Sequence, residues 1–201
     1  GVTQQRCHPI TKLGVFVADS RIFFTANPWP EGHPVKSFQW TARVENGEVW
    51  FDFHLETETY YLERDAEDDA EDREGDERSD WEAPGVWGNY HSCILSTNYW
   101  HNGGVRVGAV GAVSLESIDG LELVVDSPPP EDREENAFHI YLLGHDAAAD
   151  HRIKFSRVAG TDRFNIDWAG KIALAYVGEH EYRYGFVASL RDVQAPSLPD
   201  A

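Results

Sequence analysis

The sequence predicts an all-β protein: an antiparallel β-sandwich of about ten strands, with a closed barrel as the alternative, interrupted by one long acidic loop. Three observations carry that expectation. Apolar residues recur with period two in segment after segment, which puts one face of a strand against a core. Turn signals such as Asn46-Gly47, Gly103-Gly104 and Asp119-Gly120 punctuate those segments at short spacing. No apolar stripe repeats convincingly at the period of an amphipathic helix. Strands and turns in such a string build a sandwich or a barrel. Uneven strand lengths, and segments apolar on both faces, favour the sandwich. The 201 residues fit a single domain, 1–201, with room for a substantial core.

The clearest strand pair spans 164–190. Phe164, Ile166, Trp168, Gly170, Ile172, Leu174 and Tyr176 alternate with smaller or polar residues. After a turn candidate at Gly178-Glu179-His180, the pattern resumes with Tyr182, Tyr184, Phe186, Ala188 and Leu190. Two antiparallel strands with matched apolar faces follow from this. Gly170, in mid-run, marks a kink or bulge. Ala173, Ala175 and Val177 on the second face imply that something covers that face as well.

Earlier in the chain, 13–17 and 21–25 read as short strands about Asp19-Ser20. Pro28, Pro30 and Pro34 make 26–34 irregular. Phe38, Trp40, Ala42 and Val44 lead into Asn46-Gly47, and Val49, Phe51, Phe53, Leu55 and Thr57 return from it. Trp50, Asp52, His54, Glu56 and Glu58 would then face solvent or a partner. Residues 86–100, 105–115, 121–125 and 138–142, and a segment about Ile153 and Phe155, complete the strands. Between them, 127–136 and 144–150 read as loops. From 192 onward the chain is expected to fray.

Residues 63–82 break the pattern. They hold twelve acids against three arginines, a net of −9, which is half of the chain's formal −18. Such a stretch buries no apolar area, and its like charges oppose a helix, so it reads as a loop insertion. The overall charge disfavours nucleic acid and anionic lipid, and suits a basic protein surface. No run of about 18 apolar residues exists to span a membrane. The two cysteines, Cys7 and Cys93, are too few for a disulfide framework and point to free thiols in a cytoplasmic protein. The first residue is not Met, which leaves a removed leader, and so secretion, open.

Two function classes follow. The first is a non-enzymatic acidic domain of immunity or inhibitor type that docks on a basic partner. Asp68, Asp69, Glu71 and Asp72 would supply charge, and the flanking Trp81 and Trp87 the apolar anchors. The second is a β-domain that binds carbohydrate or another small ligand through loop residues Trp29, Trp100 and His101, whose rings can stack on a sugar. An enzyme is a third alternative, for which no catalytic residue stands out. The chain has no nucleophile elbow, phosphate loop or dinucleotide fingerprint, and His91 with Cys93 lacks an orienting third group. His145, Asp146, Asp150 and His151 form a weak zinc- or manganese-like cluster without a third and fourth ligand fixed by spacing, so neither a metal nor a cofactor is expected.

Overall fold

A computed structural model describes residues 19–62, 79–99 and 103–198. Cys7, the proposed strand at 13–17, the acids Asp68, Asp69, Glu71 and Asp72, and the aromatic pair Trp100 and His101 lie outside the described residues. Among those described, the chain forms ten strands: β1 (Arg21–Phe24), β2 (His33–Glu45), β3 (Glu48–Thr57), β4 (Ile94–Ser96), β5 (Val105–Ala109), β6 (Glu122–Val125), β7 (His139–Tyr141), β8 (His145–Arg157), β9 (Arg163–Ala173) and β10 (Tyr184–Gln194).

Eight of them run in the order β2-β1-β10-β9-β8-β7-β4-β3, and β3 pairs back onto β2. Every pairing is antiparallel, so the sheet closes into a barrel. β5 pairs with β3, and β6 with β8, outside that ring. The architecture is the barrel, not the favoured sandwich. Eight strands enclose a space that side chains alone can fill. Phe38, Trp40, Phe51, Phe53, Phe138, Phe155, Phe164, Trp168 and Phe186 fill it here, with all nine buried.

Local chemistry sets the register. Asn46 (φ 52°) and Gly47 (φ 78°) make the two-residue turn between Glu45 and Glu48, both with the positive φ that such hairpins require. In the strongest strand pair, Trp168 lies opposite Ala188 and Ile166 opposite Leu190, as the alternation predicts. Gly170 carries no bulge: it pairs in register with Phe186. A Cβ there would stand 2.5 Å from the Phe186 ring and 2.8 Å from His151 Nδ1, so the glycine is needed for close approach. β9 ends at Ala173, and a 3-10 turn at Ala175–Val177 replaces the anticipated continuation. Ala173 and Ala175 are covered, by Ala147 and Tyr182, while Val177 is exposed.

The sharp bends come from bulges. Between Ala149 and Arg152, β8 spends three steps against two on β9, and between Leu190 and Val193, β10 does the same. The residues with positive φ there are Asp150 and Asp192, and aspartate tolerates that conformation better than most. Of the 144–150 segment, all but Gly144 is therefore strand rather than loop. The chain is also ordered past 192: β10 runs through Gln194, and Ala195 N–H donates to the Asp162 carbonyl, 2.9 Å away. Beyond Pro84 the expected strand is instead a one-turn helix, α1 (Pro84–Gly88), because proline suits a first helical turn. A second short helix, α2 (Leu115–Ile118), starts at a Ser114–Ser117 capping box. Asp52, assigned by parity to the solvent face, is buried. It accepts from Arg43 Nε (2.9 Å) and from the Thr97 hydroxyl (3.1 Å), so its charge is paired.

Candidate functional site

The most site-like feature lies where the 126–138 connection descends onto β7 and the start of β8. Asp126 accepts from Ala137 N–H at 2.9 Å and holds the far end of that connection. A 3-10 turn at Arg133–Glu135, capped by Asp132 through Glu134 N–H, leads directly into Asn136. Phe138 then enters the core, and β7 pairs with β8 so that Ile140 faces Asp146 across the strands. The result is a cleft of about 180 Å³, lined by Arg133, Glu134, Asn136, Phe138, His139, His145 and Asp146.

Asn136 is 4% exposed. Its Nδ2 donates to the Ala148 carbonyl (2.9 Å) and to the Tyr182 hydroxyl oxygen (3.0 Å). A carbonyl can only accept, so this fixes the amide's orientation. Oδ1 is left buried with no partner. Asp146 is buried beside it. Its Oδ2 accepts from Leu143 N–H (3.0 Å) and its Oδ1 from Tyr176 N–H (3.4 Å), which ties the β7–β8 turn to the 3-10 turn after β9. Burial raises its pKa above the usual carboxylate range, against the opposing pull of those two N–H groups. Outside the rim, the Tyr141 ring lies 5.3 Å from His145 and 6.3 Å from Tyr90.

No family model matches this chain, and no match was found among curated proteins or solved structures. Function is therefore argued from the site alone.

The four residues of the metal-like cluster do not converge. His145 and Asp146 line the cleft, whereas Asp150 pairs with Lys171 at 2.9 Å and with the Ser127 hydroxyl at 2.7 Å. His151 is fully buried inside the barrel. Its Nδ1 accepts from Trp168 Nε1 (3.2 Å), and its Nε2 has no partner. His145 and His151 would share a face on a regular strand. The extra residue at Asp150 puts them on opposite faces. Among the described residues, no group of three or more potential ligands is placed to hold a metal ion.

The tryptophans require a correction of a different kind. Trp29, Trp81 and Trp87 do come together, but inside the protein. Trp87 lies 5.6 Å from Trp29 and 5.3 Å from Trp81, stacks on His33 at 5.7 Å, and is 0% exposed. Trp81 Nε1 donates to the Thr25 carbonyl (2.7 Å), and Trp87 Nε1 to the Trp81 carbonyl (2.8 Å). Phe24 and Tyr60 complete an aromatic plug. Buried this way, these rings pack edge-on and tilted against one another rather than on a ligand or partner. His91 is exposed while Cys93 is fully buried, and burial pushes the Cys93 thiol far above its ordinary pKa.

Sequence reasoning did not single out Asn136, Arg133 or His139. Nothing in the acidic stretch about them distinguishes Asn136, whose amide oxygen is buried without a partner. Only the Asn136 bond to β8 reveals it.

Proposed function

We propose that the protein is a non-enzymatic binding domain that takes a small polar ligand in the cleft between the Arg133–Glu135 turn and the β7–β8 pair. One observation supports this above the rest: a cleft of about 180 Å³ whose lining brings Arg133, Glu134, His139, His145 and Asp146 together. The small-ligand hypothesis thus moves from Trp29, which is buried, to a cleft lined by polar residues.

A second reading, docking on a basic protein, is favoured by a different observation. Trp81 and Trp87, which follow the 63–78 acids in sequence, are fixed by hydrogen bonds to the Thr25 and Trp81 carbonyls. The experiment is amide NMR titration of the full chain with a panel of monosaccharides, small amines and small amides, and, for the second reading, with a basic protein at low and high salt. Binding in the cleft shifts resonances of residues 133–146, and Arg133→Gln combined with Glu134→Gln, at the exposed rim, weakens that binding at least severalfold while circular dichroism stays unchanged. A panel that leaves 133–146 unmoved overturns the cleft reading.

A further inference from the structure

β1 is four residues long, while its neighbours β2 and β10 have 13 and 11. It pairs with β2 only at Pro34 and His33, and with β10 over Phe186–Ser189. Toward the β2–β3 turn, β2 continues to Glu45 and β10 to Gln194. Among the described residues, nothing pairs with the β2 edge over 36–45 on the side that faces β10. Adjacent strands lie about 4.8 Å apart, so β1 holds β2 and β10 two spacings from each other, the width of one strand. Phe38 and Trp40 on β2, and Leu190 and Val193 on β10, are buried apolar residues beside this slot. The chain enters β1 from it. The Ser20 carbonyl accepts from Val35 N–H and the Ser20 hydroxyl from Arg191 N–H, both at 2.9 Å, so Ser20 ties the two walls together. Asp19, just before it, has φ 67°.

We infer that the slot is a strand-accepting site, and that its occupant is the chain's own segment 13–17, laid antiparallel to β2. Residues 1–18 lie outside the described residues, and their sequence fits the slot in two ways. The first is parity. Asp150 and Asp192 share the positive φ of Asp19, and each shifts the inward face of its strand by one residue: Ala148 and Ile153 are both buried, as are Leu190 and Val193. Ile22 and Ser20 are buried on the β1 side of Asp19. A shift at Asp19 therefore turns Val17, Val15 and Leu13 inward, all aliphatic and two of them β-branched. Unbroken alternation would offer Ala18, Phe16 and Gly14 instead, and a glycine fills no core. The second is charge. Residues 1–18 hold Arg6 and Lys12 and no acid, so they carry +2, and the remainder of a chain of net −18 carries −20. A strand in the slot has hydrogen-bonding neighbours on both edges and exposes neither. Its covalent link through Asp19 gives it an effective concentration of millimolar order, which a second copy does not match.

Amide hydrogen exchange and backbone NOEs of the full chain, read by NMR, test this. Alternate N–H groups of β2 bond to β3, starting from the Glu45–Glu48 pair at the turn, which leaves those of Phe38, Trp40 and Ala42 directed at the slot. With 13–17 in place, these three amides are expected to exchange about a hundredfold more slowly than in an unstructured chain. Backbone NOEs are expected between 13–17 and 36–45. Val15→Pro takes an N–H out of the proposed strand, and is expected to speed exchange at the three amides by about tenfold while Ile166 and Trp168 stay slow, which also shows that the variant is folded. Should Val15→Pro not fold, the NOEs and protection of the unaltered chain still decide. Rapid exchange at Phe38, Trp40 and Ala42, no NOE to 13–17, or a folded Val15→Pro with unchanged protection each overturns the inference. Protection that grows with protein concentration assigns the slot to a second copy and overturns it as well.

Discussion

Mild acid is expected to destabilise the barrel through two histidines sealed inside it. His33 is boxed in by Phe24, Trp29, Tyr60 and Trp87, and its Nε2 accepts from Asn27 Nδ2 at 3.0 Å. His151 lies among Phe138, Trp168 and Phe186. Burial lowers their pKa values from 6.5 to about 4 for His33 and about 3 for His151. For His33 the nearby Arg21 charge adds to the effect. Both folded values lie below the unfolded one, so between pH 6.5 and 4 the unfolded chain binds protons that the native protein refuses. Stability is therefore full above about pH 6.5 and is lost as pH falls toward the folded values.

At about 1.4 kcal/mol per pKa unit, the two sites together remove roughly 6 kcal/mol by pH 4, which is comparable to the whole stability of an ordinary domain. Asp126 and Asp146, whose pKa values burial raises, act with the opposite sign and offset part of the loss. Asp150 and Glu116, held low by hydrogen bonds to Ser127 and to the Glu116 backbone first of all, add to it at lower pH. The assay is urea unfolding followed by tryptophan fluorescence at a series of pH values. With both histidines engaged, the unfolding free energy falls by about 2.7 kcal/mol per pH unit, and by about half of that in His151→Leu. A flat profile between pH 6.5 and 4.5, or an unchanged slope in His151→Leu, would refute the argument.

Two further outcomes follow from packing. Trp87→Ala should cost about 3–5 kcal/mol, because it empties the centre of the aromatic plug and frees the Trp81 carbonyl. Thermal unfolding measures it, and a loss under about 1 kcal/mol would mean that the plug is not part of the cooperative core. Two glycine substitutions separate space from backbone conformation. Gly47→Ala meets nothing within 4 Å and suffers only its positive φ, a cost of about 1 kcal/mol. Gly170→Ala drives a methyl into Phe186 and His151 and should cost about 1–3 kcal/mol. Denaturation midpoints that rank the two the other way would count against the close packing at Gly170.

The strand faces were legible wherever an uninterrupted alternation ran long enough to declare itself. Val49 through Thr57, and Phe164 through Ile172, sit on the faces that their parity assigns. What parity cannot carry is closure. A sandwich and an eight-stranded barrel need the same inward-facing residues and differ in which edges meet. Here that question is answered by β3 pairing with both β2 and β4. Asp52 was misassigned for a related reason: parity says which way a side chain points and is silent on what stands there to meet it. Arg43, on the adjacent strand, covers it.

The candidate site was the least legible part, and the bulge at Asp150 explains why. In sequence, His145, Asp146, Asp150 and His151 form one compact polar group, and the Ala147-Ala148-Ala149 run between them has no alternation to read. Three alanines are small enough to be buried whichever face they occupy, so the strand hides its own register. One extra residue then divides the group. It sends His151 inward to Trp168, leaves His145 outside, and places the Ala148 carbonyl where Asn136 can bond it. That bond fixes the orientation of the Asn136 amide, whose Oδ1 is buried without a partner. The orientation of the Asn136 amide is thus a consequence of a β8 bulge read out twelve residues upstream, a long-range relation that local pattern does not encode.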